Sequence, residues 1–528
     1  MDRYDVVICG GGLAGLTLAR QLKLKMPELS VLILERTDGD IPGGAHKVGE
    51  ATVEGGAHYF GEHLQLAGYF NKHHLPKLGL RLFFGDAHGV FEDRPELGAR
   101  KFPRVPSYQI DRGIFERDLR RMVREQGAHL VEMASVEHLE LSSTGDHLVS
   151  YAVAGEGGGQ SRTVRAHFVV DATGRRRLIQ RTLGLELPSV HHINSVWWRF
   201  RGEYDVEKMA AAKNLLWKPK NQERKWFSTN HLMGRGYWIW MIPLSSGATS
   251  VGIVADADIH PFAGYNTEER AHQWIEAHEP TLAAFLRGAE ALDFRKMKDC
   301  SYYSRQIFSH DRWACVGEAG TFLDAFYSPG SDFIAYTNSI TTKMIELDRK
   351  SALTPAITDQ FNRFVLEDLW NNYLAMYHDT YQVFGNATVM FTKAAWDVCY
   401  YWGLPCQMLF RKLMVEPWAL EQYRPIAAAF HPIQKKMQQC FRDWARVAPL
   451  PSQYLFVEYS KIPICAELHI DLLREEDPTR CFQNMRRTVA RLEEWADSLA
   501  AEVYGGSLVM AESSAGKARP TAPPAAMT

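Results

Sequence analysis

The stretch Tyr4-Asp5-Val6-Val7-Ile8-Cys9-Gly10-Gly11-Gly12-Leu13-Ala14-Gly15 decides the fold. Tyr4 to Cys9 is a short β-rich apolar run, Leu13 to Lys25 has helical periodicity closed by Pro27, and Ser30 to Glu35 is a second buried strand, so the opening reads as a βαβ unit. Its glycines occupy the first, third and sixth positions of G-x-G-x-x-G. Gly10 allows the tight turn, Gly12 lets the backbone approach a pyrophosphate, and Gly15 lets helix and strand pack closely. Leu13 and Ala14 open the helix whose first amides face the phosphates. Glu35 ends the second strand twenty residues after Gly15, where an acid accepts hydrogen bonds from ribose hydroxyls. A glycine turn alone is as often structural as functional; the strand context and Glu35 favour a dinucleotide site.

Working outward, residues 55–104 are irregular and rich in His and Gly, and Tyr108 to Arg124 reads as a helix. Strand-like runs follow at His129 to Leu141, Leu148 to Val153 and Val164 to Val170, with a hairpin turn at Gly155 to Gly159. From Ile193 to Val254 aromatic and polar residues alternate, the mark of an antiparallel sheet over a large flat object. Trp313 to Val316 is one more strand, and most of Phe322 to Val503 is helical. The Gly/Ser/Ala/Pro-rich residues 505–528 read as a disordered tail. The expected division is a first domain over 1–345, its cofactor parts at about 1–55, 105–180 and 300–345 and its substrate layer at about 56–104 and 181–299, then a helical region over 346–504.

Composition narrows the function. Lys plus Arg number 60 against 62 for Asp plus Glu, a net charge of −2, so no basic field draws the chain to nucleic acid or anionic membrane. Eight cysteines show no C-x-x-C and no metal-ligand spacing with His, so they read as buried thiols in a reducing cytoplasm, and no metal site is expected. The N-terminus has no signal layout and no apolar run reaches membrane-spanning length, which again points to the cytoplasm.

Three further segments carry chemistry. Val169-Val170-Asp171-Ala172-Thr173-Gly174-Arg175 resembles the second signature of flavoprotein monooxygenases, and Val316-Gly317-Glu318-Ala319-Gly320 resembles their GD motif, with Glu318 in place of the usual Asp. That resemblance implies FAD. Tyr237-Trp238-Ile239-Trp240-Met241-Ile242-Pro243-Leu244 read alone is one face of a buried strand. Trp238, Trp240, Ile242 and Pro243 nevertheless match WxWxIP, and Lys47-Val48-Gly49-Glu50-Ala51-Thr52 matches VGEAT; both resemble the flavin-dependent halogenases, in that family's order.

The resemblance implies an α/β fold, with a Rossmann-like FAD domain of the monooxygenase type, an inserted antiparallel sheet and a helical C-terminal region. It implies that FADH2 and O2 convert chloride or bromide to hypohalous acid, which passes through a tunnel guarded by the aromatic pair to a lysine beside the substrate. Lys77, 27 residues after Glu50 and followed by glycine and an aromatic strand, matches that lysine, with Lys72 as the fallback. Cofactor contacts are expected from Gly10, Gly12, Leu13, Ala14, Gly15, Glu35, Glu50, Ala51, Thr52, Arg112, Asp171, Gly317 and Glu318. For Arg112 a helix-start salt bridge is an equally good account. Ser328, Pro329, Gly330 and Ser331 match the halide segment, although Pro329 offers no N–H. Tyr327 stands where the tryptophan halogenases carry a glutamate, so a phenol or other electron-rich ring, free or carrier-bound, is the expected substrate. A flavin reductase would supply FADH2. His191, His192 and His231 read as structural. The alternatives are a flavin-dependent aromatic hydroxylase, which shares the FAD motifs and needs no halide, and a non-catalytic flavin-binding protein.

Overall fold

Aliphatic runs without a polar face must be buried on both sides, and four of them form the parallel heart of the first sheet. In this computed structural model, which describes residues 1–39, 47–85, 90–154, 161–210, 224–449 and 454–505, that sheet runs in the order Phe308–Ser309, Trp313–Cys315, Ser161–Asp171, Arg3–Cys9, Val31–Leu34, His129–Val131. Arg3–Cys9 lies parallel to both Ser161–Asp171 and Val31–Leu34, and Ser161–Asp171 is parallel to Trp313–Cys315. Cys9 pairs with Asp171 and Leu34, and Asp171 with Cys315, so these strands end in register. The loops that leave that edge therefore bring Gly10, Glu35, Ala172 and Val316 together. In open α/β sheets the carboxyl ends of the strands are where ligands bind.

The second sheet has the order Ala291–Met297, Ile193–Arg201, Ala248–Asp256, Tyr237–Pro243, Thr229–Gly234, Leu80–Phe84, Glu96–Gly98, Phe456–Glu458. It is antiparallel except where Thr229–Gly234 meets Leu80–Phe84 and where Glu96–Gly98 meets Phe456–Glu458. Tyr237–Pro243 is buried on both faces, and its period of two divides it between two cores. Trp238, Trp240 and Ile242 join the core shared with the first sheet, while Tyr237, Ile239 and Met241 join a separate core behind the second. A Cβ on Gly252, the pairing partner of Trp240, would lie 2.2 Å from the indole, so that glycine makes the room for the ring.

Several expectations change. The run 55–104 is ordered, with helices at Glu54–His58 and Ala67–His73 and strands at Leu80–Phe84 and Glu96–Gly98; short elements rich in His and Gly give little periodicity. The helix begins at Arg112, because Asp111 caps it by accepting from the Ile114 amide, and Tyr108–Gln109 is a strand. His129 to Leu141 is two strands, broken at Met133, which adopts φ +55°. Within the helical region a strand, Phe456–Glu458, crosses over to the second sheet. The hairpin turn at 155–159 and the tail at 506–528 lie outside the described residues. All eight cysteines are buried free thiols. No helix among the described residues is long and apolar enough to cross a membrane, and no metal-holding cluster of His, Cys, Asp or Glu occurs among them.

Candidate active site

Where the parallel strands end, a cavity is lined by Gly10, Gly12, Leu13, Ala14, Glu35, Lys47, Arg112, Ala172 to Arg176 and Glu318. Gly10 holds φ +113°, which excludes other residues at the turn. A Cβ on Gly12 would meet no protein atom within 4 Å, so the missing side chain leaves open space that faces the cavity. Gly15 lies against the Gly10 carbonyl and serves helix packing. Glu35 is buried; its Oε2 accepts from the Gly11 amide at 2.6 Å, and its Oε1 accepts from the Thr37 amide and hydroxyl. The Glu318 side chain has no hydrogen-bond partner among the described residues and faces this cavity and the next, and burial pushes its carboxyl up against the pull of Arg112 and Arg175. An open glycine cradle, an unpartnered carboxylate and Arg112 between the two chambers fit an extended flavin dinucleotide.

Arg112 makes the helix-start salt bridge, its Nε donating to Glu116 and its Nη1 to the Val48 carbonyl, and it also lines both chambers. Asp171 is turned to the loop: it accepts from the Thr173 amide and hydroxyl and the Ile179 amide and is not among the residues lining these two chambers. Gly317, at φ +54°, donates its amide to Thr337 Oγ1 and likewise shapes the backbone.

The adjoining chamber is lined by Gly49 to Thr52, Trp238, Trp240, Ile242, Ser328, Gly330 and Ser331. Pro243 ends the strand and does not reach it. The two indoles are 5.7 Å apart, and each has a fixed partner. Trp240 Nε1 donates to Ser250 Oγ, which donates to Glu50; Arg199, 2.9 Å from Glu50 and 2.6 Å from Asp293, balances that buried carboxylate. Trp238 Nε1 donates to the Tyr381 hydroxyl, which donates to Asp324, and Asp324 also meets His191 Nε2 at 2.6 Å. Sequence reasoning missed Arg199, Tyr381 and Asp324, since none sits in a motif that names its partner.

A third cavity lies beyond a thin wall. Lys77, Glu54, Tyr327, Pro329, Asp332, Tyr373, Met376, Tyr377, Asp397, Tyr401, Trp402 and Tyr459 line it. Two segments form the wall by presenting alternate residues to its two sides. Thr52 faces the flavin side, and Val53 and Glu54 the far side. Ser328, Gly330 and Ser331 face the flavin side, and Tyr327, Pro329 and Asp332 the far side. The turn in the second segment is strained, with Tyr327 at φ +67° and Ser328 at φ +58°. Tyr327 is held there by its hydroxyl, which donates to Asp397, itself paired with the buried Lys393. Beyond the turn the helix Gly330–Arg349 begins, and its Gly330 and Ser331 amides have no acceptor among the described residues.

Lys77 is buried, and its Nζ donates to the Thr52 carbonyl at 2.7 Å, so its side chain lines one cavity while its ammonium touches the backbone of the other. Burial pushes that ammonium down to about 8, with Glu54 and Asp332 pulling the other way. Lys72 is exposed on the surface. Burial and the nearby Lys77 charge push His231 down to about 3; it is a neutral ring whose Nδ1 meets the Arg81 carbonyl.

Several known proteins resemble this chain in sequence or in fold. Flavin-dependent halogenase chlA of Dictyostelium discoideum is 28% identical over 437 residues, 76% of this chain and 70% of that one. A 1H-pyrrole-2-carbonyl peptidyl-carrier protein chlorinase of Pseudomonas fluorescens is 25% identical over 348 residues, 62% of this chain and 72% of its own. In fold, halogenase PltM in complex with phloroglucinol and FAD superposes with a TM-score of 0.67 at 17% identity, covering 93% of this chain and 98% of that one. The flavin-dependent halogenase CmlS gives 0.57 at 23% identity, covering 71% of this chain, which spans 64% of the CmlS chain. The family model described as tryptophan halogenase matches residues 103–383, more than half of the sequence. The chain belongs to that family, the flavin-dependent halogenases.

Proposed function

We propose that the chain halogenates an electron-rich, phenolic aromatic by passing hypohalous acid across the wall to Lys77. The observation that carries this reading is the Lys77 contact with Thr52, which ties the far cavity's one lysine to the flavin-side chamber. Gly10, Gly12, Leu13, Ala14, Glu35, Arg112 and Glu318 would hold FAD, with Glu50 to Thr52 beside its ring end. Bound FADH2, supplied by a flavin reductase, gives the electrons with which O2 oxidises chloride or bromide to hypohalous acid.

The chain's own groups do the rest. The Gly330 and Ser331 amides at the start of a 20-residue helix favour an anion beside Ser328. Pro329 lines the other cavity and offers no N–H, so the anion site relies on the Gly330 and Ser331 amides. Trp238, Trp240 and Ile242 fill the chamber and keep a bulky substrate out of it. The Lys77 ammonium hydrogen-bonds hypohalous acid on the far side, where aromatic rings seat the substrate. Tyr327 brings a neutral phenol to that cavity where a carboxylate would suit an indole N–H.

The test is turnover of a phenol panel with FAD, a flavin reductase, NADH and chloride or bromide, read by mass spectrometry. Halogen isotope patterns are expected, and Lys77→Ala should lower them by at least ~100-fold while NADH oxidation continues. Halogenated product that survives Lys77→Ala sinks the lysine route. Oxygen insertion that ignores halide returns the reading to a hydroxylase.

A further inference from the structure

Among the groups that line the Lys77 cavity, the Asp332 carboxyl has the Gly56 amide and the Tyr401 hydroxyl beside it but no charged partner among the described residues. It sits in the first turn of the helix Gly330–Arg349, fully buried, and its Oδ1 accepts from the Gly56 amide at 2.6 Å. Its Oδ2 is buried and has no hydrogen-bond partner among the described residues. An acid in a first helical turn is ordinarily a cap or a favourable charge at the helix dipole, and such a group normally reaches water or an amide with both oxygens. Here one oxygen is left over in a wall that also carries Lys77, Glu54 and the Tyr373 hydroxyl, itself without a partner.

We infer that Asp332 is a catalytic residue, the base that takes the hydroxyl proton of a phenolic substrate while Lys77 presents hypohalous acid to its ring. The inference rests on the phenol reading above. A phenol attacks halogen through its ring, and the attack is faster as the O–H bond gives up its proton. As the ring carbon forms the carbon–halogen bond, the oxygen–halogen bond breaks with its electron pair on oxygen. The departing hydroxide takes a proton from the Lys77 ammonium and leaves as water, and the phenol proton passes to Asp332 Oδ2. The ring then loses its proton at the new carbon–halogen centre to the Lys77 amine, and Asp332 returns its proton to the oxygen. Phenol and hypohalous acid become halophenol and water, with both side chains restored.

The surroundings suit this duty. Burial pushes the Asp332 carboxyl up to about 7, opposed by the Tyr401 hydroxyl and the Gly56 amide; Glu54 adds to the rise and Lys77 counters it. A base poised near neutrality both accepts and returns a proton. The Tyr401 hydroxyl, which accepts from the Gly55 amide, stands beside the same carboxyl, and Tyr373, Tyr377 and Trp402 enclose the space in front of it.

The experiment compares Asp332→Asn with the unaltered enzyme on two phenols, an ordinary phenol and a polyfluorinated phenol that is already ionised at the assay pH. The variant should lose at least ~30-fold more kcat on the ordinary phenol than on the ionised one. A second readout follows pH: with the ordinary phenol, kcat of the unaltered enzyme should rise as the carboxyl loses its proton near pH 7, and Asp332→Asn should lack that rise. Equal losses on both phenols would make the carboxylate structural and overturn the inference, as would no loss on either. Absence of any halogenated phenol from the unaltered enzyme would be a different failure, overturning the phenol reading and this assignment with it.

Discussion

The two sides of the wall are built in opposite ways. The FAD side is made of backbone: glycines at strand ends, helix N-termini and loops in register across four parallel strands. The Lys77 side is made of side chains from seven separate parts of the sequence, at 53–54, 77–82, 97, 107, 327–332, 373–402 and 459. A cofactor common to a whole family can be held by conformation, which tolerates sequence drift away from the glycines. A cavity built from side chains can change shape through single substitutions. The same contrast governs electrostatics. On the FAD side the buried Glu50 has Arg199 2.9 Å away, whereas on the Lys77 side Asp332 and Lys77 lie buried with no ion pair among the described residues; burial pushes Glu50 up as it does Asp332.

That contrast can be broken at its strongest joint first. Arg199 lies between Glu50 and Asp293, nearly inaccessible to solvent, and Arg199→Leu takes from Glu50 its counter-charge. Chemical denaturation should show a loss of about 3–5 kcal/mol. A loss below ~1 kcal/mol would mean that the flavin-side pair is no better matched than the groups across the wall.

Asp332 should behave in the opposite sense. Its carboxyl is raised to about 7 in the fold, above the ordinary carboxylate range, so its contribution to stability is full below about 4 and is lost as pH rises through 7. Asp332→Asn removes that dependence. Relative to the unaltered chain the variant should gain roughly 2–3 kcal/mol between pH 5 and pH 8. A pH-independent difference would show that the carboxyl titrates in the fold as it does in water.

The smallest effect belongs to Gly12, whose φ of −84° suits any residue and whose absent Cβ faces open space. Gly12→Ala should leave the melting temperature of flavin-free protein unchanged or slightly higher, since alanine narrows the unfolded ensemble. FAD affinity, read by fluorescence titration, should fall ~10–100-fold, about 1.4–2.8 kcal/mol. Unaltered affinity would mean that the backbone at Gly12 does not approach the cofactor.

The first helix, Leu13–Lys25, was legible to the residue, as were the alternation of Tyr237–Pro243 and the order of the FAD segments, because each depends on neighbours within a dozen positions. Residues 55–104 were not legible: helices of five to seven residues carry too few turns to show a period, and they are held by packing. Lys77 could be singled out because it follows a local pattern, and it lines the far cavity. Asp332, the residue after the halide segment, carried no role in the sequence reading, since its meaning depends on the Gly56 amide, 276 positions away. Asp171 carried the opposite lesson, for its segment ends a strand in register with Cys9 while its carboxylate serves the loop.

By itself the sequence determined the parallel sheet, the glycine cradle and the family, because backbone conformation and strand period are set by adjacent residues. Only the tertiary structure decided which side of the wall each residue faces. Tyr327 and Ser328 are neighbours in the chain, yet they open into different cavities, since consecutive residues at a strained turn point apart and the packing of distant helices fixes what lies before each.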